Sequence, residues 1–311
     1  MAGQDLDLGS HLQRLLGSSV LELARIGGQH GVSHHRVVLA DGRTLFVKAA
    51  TAGSAVASSA VAGSVASSAV AGSAASSAAI GFAAEASGLS WLGEAAAVGV
   101  PEVVGWDDRT LAIAWIAQEQ PSRRSAESFG RDLAALHAAG APSFGAPWPG
   151  VIAGLPLANA PAAWWPDWYA SRRLLPYARR ARDAGTLAAA DMALVETVAA
   201  RAADLAGPAE PPSRIHGDCW SGNVLWSGGR GALIDPAAHG GHRETDLAML
   251  GLFGAPYLDR ILAAYQEVTP LADGWRGRIP LHQLHPLLVH VCLFGAAYRE
   301  AMLDAALAAL R

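Results

Sequence analysis

The sequence is short of cysteine, of basic excess and of charge, and each shortage removes a class of function. Two cysteines in 311 residues, Cys219 and Cys292, exclude a disulfide framework and a thiolate metal cluster and fit a reduced compartment. A formal net charge of −4 and an isoelectric point near 6.2 leave no basic footprint for nucleic acid. The opening Met1-Ala-Gly-Gln-Asp-Leu-Asp carries acids where a secretion signal carries Lys or Arg before an apolar run. The expectation is a cytoplasmic monomer with neither membrane nor nucleic acid as partner.

Charge is missing altogether from Ala49 to Ala84, and a nine-residue unit repeats within that stretch, at Ser58–Ala66, Ser67–Ala75 and, degraded, Ser76–Ala84. Ala, Gly and Ser dominate it, so bilayer insertion would be weakly driven. Calcium-binding nonapeptides need an Asp in each unit, and none is present. The stretch reads as a low-complexity insert over about residues 50–80, loose or helical, with no assigned chemistry.

What is present is concentrated in Arg214-Ile-His-Gly-Asp-Cys-Trp-Ser-Gly-Asn-Val-Leu-Trp226 and Ile234-Asp235-Pro236. Asp218 and Asn223 are separated by four residues, and Asp235 follows twelve positions after Asn223. Apolar pairs Val224-Leu225 and Leu233-Ile234 flank a Ser227-Gly-Gly-Arg230 turn, which predicts two short strands in a hairpin. That ribbon would gather a carboxylate, a carboxamide and a second carboxylate at one end. Phosphoryl transfer uses this set: an Asp to accept a hydroxyl proton, an Asn and an Asp to hold magnesium on nucleotide phosphates.

Upstream, Leu8, Leu12, Leu15 and Leu16 predict an amphipathic lead helix. Strands follow at Val20–Ile26, Arg36–Leu39 and Thr44–Lys48, with Gly27, Gly28 and Gly31 between the first two. Such glycines either make a turn or let backbone N–H groups lie over phosphates. Lys48 is either a strand-end charge or the partner of Glu85, which shares a helical face with Phe82 and Leu89. Residues 101–106 and 110–115 predict a hairpin, and Ser125–Ala139 a helix in which His137 reads as a core or supporting histidine. The Pro-, Gly- and Trp-rich segment 144–168 reads as an ordered loop. There Asn159 and the tryptophans Trp164, Trp165 and Trp168 either pack or line a sugar pocket. His282, His285 and His290 suggest a metal cluster, but they lack zinc spacing and read as packing.

The runs His216–Asn223, Ala232–Ala237 and Arg243–Met249 closely resemble the fructosamine kinases (ketosamine 3-kinases). These belong to the aminoglycoside-phosphotransferase branch of the protein-kinase-like fold, and Asp-Cys-Trp-Ser-Gly-Asn with Trp220 is the family's distinguishing spelling. The resemblance implies an α+β, two-lobed fold. Residues 1–115 would form a small antiparallel-sheet lobe for the nucleotide, and 116–311 a larger, mainly helical catalytic lobe. It implies ATP and Mg2+ as cofactors, Asp218 as base, and Asn223 and Asp235 as metal ligands. Lys48, paired with Glu85, would hold phosphates under Gly27 and Gly28. The backbone of Trp115, Ile116 and Ala117 would pair with adenine, although this chain has Ala114 where the family usually shows an acid. Trp220 and Asn159 would contact the acceptor, while His216 and Asp246 support the loop. Cys219 stands where the family commonly has Leu and reads as packing. The implied substrate is a small or protein-bound ketoamine, ribulosamine or fructosamine. Two other readings stay open: another small-molecule kinase, acting on an aminoglycoside or choline-like acceptor, and a silent nucleotide-binding protein.

Overall fold

The computed structural model describes residues 2–29, 31–51 and 73–311. It divides into two compact units, Met1–Ser90 with Pro101–Ala117, and Trp91–Val100 with Gln118–Arg311. The sequence expectation of a single cut after residue 115 therefore differs at Trp91–Val100, which packs with the later chain. Leu92 and Val98 explain this, because both belong to the core built around Phe129 and Trp226.

The first unit is a five-stranded antiparallel sheet in the order β1-β2-β3-β5-β4. Its elements are α1 (Ala2–Leu16), β1 (Val20–Gln29), β2 (Val32–Leu39), β3 (Thr44–Ala50), α2 (Ser73–Glu94), β4 (Val103–Trp106) and β5 (Thr110–Ala114). Burial alternates strictly along β2, as a sheet with one face on a core requires. Leu12 of α1 closes that core against Val37, Leu39, Leu45 and Val47. Gly31 stands in the turn between β1 and β2 as expected, whereas Gly27 and Gly28 instead continue β1, paired to His34 and Ser33. Gly28 has φ +153°, and a Cβ there would stand 2.6 Å from the Val32 carbonyl oxygen, so close pairing excludes other residues. Of the repeats, the first lies outside the described residues, as does most of the second. The third is inside α2, where Phe82, Leu89 and Leu92 are buried as the periodicity predicts.

The second unit is mainly helical. Its elements begin with α3 (Arg123–Ala138), the hairpin β6 (Gly150–Ile152) and β7 (Leu155–Leu157), α4 (Trp165–Tyr169), α5 (Leu175–Asp183), α6 (Ala189–Ala200) and α7 (Ala202–Leu205). Strands β8 (Ser213–Ile215), β9 (Val224–Ser227), β10 (Arg230–Leu233) and β11 (His239–Gly241) follow. The chain ends in α8 (Glu244–Leu252), α9 (Leu258–Val268), α10 (Trp275–Phe294) and α11 (Arg299–Ala309). Segment 144–168 thus contains a small hairpin and a helix rather than a loop alone. The β9–β10 hairpin forms where expected, turning through Gly228 and Gly229 at positive φ. The stretch Trp275–Ala309 has the length and apolar composition to cross a membrane, yet half of its most apolar window is buried within the protein. Leu284, Leu288 and Val291 there pack against Tyr169 and Leu174, as a core helix does.

Candidate active site

The loop before β9 carries Asp218 and Asn223, and Asp235 follows the end of β10 at Leu233. A short 3-10 turn, Ser221–Asn223, leads directly into β9 and leaves Asn223 buried at its start. Asn223 Nδ2 donates to Asp218 Oδ2 at 3.1 Å, to the Asp218 carbonyl at 2.9 Å and to the Asp235 carbonyl at 3.4 Å. One amide therefore ties both acids' backbones together. Asp235 holds φ +54°, a left-handed conformation that a non-glycine residue keeps only where its surroundings impose it. Burial pushes the Asp218 carboxyl up to about 7, and the nearby negative charges of Asp235 and Asp246 push the same way against the Asn223 hydrogen bond.

Beneath the loop lies Asp246, fully buried in the first turn of α8. Its Oδ2 accepts from the His216 backbone N–H at 2.7 Å, and its Oδ1 from the Gly217 N–H at 2.9 Å. His137 Nε2 lies 3.2 Å from Oδ2, and His137 Nδ1 lies 2.9 Å from the Tyr265 hydroxyl. Burial works against the Asp246 charge, but His137 and the backbone donors outweigh it and hold the carboxyl below its ordinary range. His216 Nε2 donates to the Ile234 carbonyl at 2.8 Å, coupling the loop to the residue before Asp235. Its ring stays neutral because burial pulls its pKa down. Cys219 is fully buried, in the core with Leu247 and Leu250.

In the first unit, Lys48 Nζ stands 2.8 Å from both carboxylate oxygens of Glu85, so β3 and α2 are joined by the expected ion pair. Lys48 is the sole lysine in the sequence. Trp115 is exposed, its backbone N–H donates to the Thr44 carbonyl at 3.0 Å, and Ile116 and Ala117 end this unit without regular structure.

Trp220 is exposed within the loop between Asp218 and Asn223, whereas Asn159 is buried and accepts from Arg173 Nη2 at 2.8 Å through Oδ1. Trp165 and Trp168 are core residues and Trp164 is exposed. Arg173 itself escaped attention in the sequence. It is buried against the Trp168 ring, and burial brings its guanidinium down to about 9. No sequence pattern signals it, because Arg-Arg pairs are ordinarily solvent-facing.

The oxygen donors of Asn223 and Asp235, with the Asp218 carboxylate beside them, suit a hard cation such as magnesium. A second group, His242, Glu244 and His282, brings three ligand atoms within 4.8 Å of one another. There Glu244 receives Arg278 Nη2 at 2.6 Å and Nε at 2.9 Å, so a guanidinium already supplies its counter-charge. Of the three, only His282 is among the histidines whose spacing reads as packing, and its ring lies 5.0 Å from that of Trp165.

A family model described as fructosamine kinase matches residues 47–309. A probable ketoamine kinase of Synechocystis is 34% identical over 196 residues, covering 61% of this chain and 64% of that protein, just under two thirds of its length. A Thermobifida fusca protein, solved under the provisional name fructosamine-3-kinase, is 53% identical with 98% of each chain covered and a TM-score of 0.87. A macrolide 2′-phosphotransferase from Brachybacterium faecium, 18% identical over 97% of each chain at a TM-score of 0.59, shares the protein-kinase-like fold alone.

Proposed function

The chain belongs to the fructosamine kinase family, and from that premise we propose that it transfers the γ-phosphoryl group of ATP to the third-carbon hydroxyl of a ketoamine, ribulosamine or fructosamine. The observation that carries this reading is the Asn223 amide bonded to both Asp218 and the Asp235 backbone. With Asp218 pushed up to about 7, its basicity suits proton abstraction near neutral pH, where a general base is most effective.

In this mechanism the substrate hydroxyl gives its proton to Asp218 as its oxygen attacks the γ-phosphorus. A new oxygen–phosphorus bond forms while the bond to the β-phosphate oxygen breaks, and ADP leaves with that electron pair. Asn223 and Asp235 are the residues that would hold Mg2+, which supplies neutralisation of phosphate charge when bound. Lys48, oriented by Glu85, would hold the nucleotide phosphates beneath the backbone of Gly27 and Gly28. The backbone of Trp115–Ala117 would meet adenine. Asp246 and His216 keep the loop rigid, so positioning provides most of the rate. Trp220 would bound the acceptor, and Asn159, held through Oδ1 by Arg173, would contact it. The phosphorylated ketoamine is unstable and sheds the sugar, so the biological role is repair of glycated amines.

Asp218→Asn tests the assignment. It should keep nucleotide binding and lose roughly 10²–10⁴-fold in turnover on ribulose-lysine or fructose-lysine. Turnover equal to the parent would remove Asp218 from its role.

A further inference from the structure

Beyond Trp220 the surface of the second unit carries a run of rings drawn from separate elements. The Trp220 indole meets the edge of Phe253, which follows α8, with centroids 6.0 Å apart and an interplanar angle of 77°. Phe253 lies 5.1 Å from the His290 ring of α10. His290 in turn lies 5.6 Å from Phe294 and 4.7 Å from Tyr298. Trp220 and Phe253 are each 37% exposed and Phe294 52%. Contiguous exposed aromatic area of this kind marks a binding surface more often than a packing remainder.

The run is anchored to the catalytic loop at its first ring. The Trp220 N–H donates to the Asp218 carbonyl, and the Asn223 N–H to the Trp220 carbonyl, both at 3.0 Å. The indole lies over Gly222, where an added Cβ would stand 2.2 Å from the ring. Trp-Ser-Gly thus seats the ring in one orientation relative to Asp218.

We propose that these rings form a subsite for the amine-bearing half of the acceptor, selecting ketoamines whose nitrogen carries an aromatic or extended apolar group. The inference rests on the kinase reading given above. Substrate chemistry fixes the occupant. The reacting oxygen and the nitrogen are joined by four single bonds of about 1.5 Å, so they lie only about 5 Å apart. With the hydroxyl at Asp218, the nitrogen lies along the loop whose Trp220 backbone N–H bonds the Asp218 carbonyl, so its substituent can extend toward the Trp220 ring. Ring faces attract the secondary ammonium, and ring edges pack on the group it carries. Continuity of the rings from the loop outward matches a sugar bound at one end and an amine extending from it.

The test compares kcat/KM for ketoamines of one sugar, made with methylamine, with benzylamine and with 4-phenylbutylamine. The parent enzyme should favour the benzylamine adduct by about tenfold, the scale of one or two ring contacts. Phe253→Ala should reduce that ratio severalfold, chiefly through KM, and Phe294→Ala, two rings further out, should lower the further gain of a 4-phenylbutylamine adduct over the benzylamine adduct. Trp106→Ala, which removes an exposed ring from the first unit, should leave both in place. Equal use of the methylamine and benzylamine adducts by the parent, or ratios indifferent to both substitutions, overturns the subsite while leaving the kinase reading intact. No turnover of any adduct overturns both. A Phe294-dependent dimer in sedimentation, with no change in either ratio, would show that a second copy is the occupant and sink the proposal.

Discussion

Replacing Asp246 should cost more than replacing any residue of the site that faces solvent. Its two oxygens accept the backbone N–H groups of His216 and Gly217 at 2.7 and 2.9 Å, with His137 as a third neighbour and no solvent exposure. Asp246→Ala leaves both N–H groups buried without acceptors. Each bond to a charged acceptor contributes about 1.5–3 kcal/mol, so the loss is about 3–6 kcal/mol. Against a total of about 5–15 kcal/mol, that variant sits at the edge of folding. Asp246→Asn keeps one acceptor oxygen but turns an N–H2 group toward a backbone donor, for about 2–3 kcal/mol. The second effect is catalytic, because the freed loop carries Asp218, and a misplacement of about 1 Å can cost about 100-fold in rate. Urea unfolding gives the first quantity and steady-state kinetics on a ketoamine the second. The Asn variant should show a lower midpoint at unchanged slope, with kcat falling more than KM changes. His137→Phe alone should be milder, and the double variant less than additive. An Asn variant within about 0.5 kcal/mol of the parent, with unaltered kcat, would refute the reasoning, since surface substitutions reach that much.

Acid should unfold the protein partly through Glu244. Burial raises its pKa, but the neighbouring His282 and the Arg278 hydrogen bonds outweigh this and bring it down to about 2 from an ordinary 4.5. A depressed carboxyl contributes stability above its unfolded pKa and loses it as pH falls toward the folded value, so the loss falls between about 4.5 and 2. Its size is on the order of 3 kcal/mol. Glu244→Gln should flatten the stability profile there, and an unchanged profile would count against the ion pair. Because Lys48 is the sole lysine, a lysine-directed acylating reagent followed by peptide mapping reads it alone. Labelling should be slow, slower still with ATP, and faster in Glu85→Gln; indifference to ATP would remove Lys48 from the nucleotide site. Gly28→Ala should lose more than about 1 kcal/mol, given the 2.6 Å approach to the Val32 carbonyl, and calorimetry that finds no loss would show the β1–β2 hairpin able to shift.

The spacing of Asp218, Asn223 and Asp235 was legible because a hairpin is local. Val-Leu, Gly-Gly and Leu-Ile determine strand, turn and strand within ten residues, and the two acids fall at its ends by chain length alone. Lys48 with Glu85 was legible for a similar reason, since a helical face and a strand end each follow from short-range period. Four things had no local signature. Helix α2 from Ser73 lies in a run whose Ala favours helix and whose Gly and Ser oppose it, so local propensity does not set it. The extension of β1 through Gly27 and Gly28 depends on pairing with Ser33 and His34. Trp91–Val100 joins the later unit because Leu92 and Val98 find their apolar partners there. The ring run from Trp220 to Tyr298 brings together three segments far apart in sequence, at Trp220, at Phe253 and over residues 290–298. Local chemistry thus determined which polar groups the loop and hairpin gather, and tertiary packing alone decided which surfaces surround them, because burial and long-range contact are properties of the assembled core.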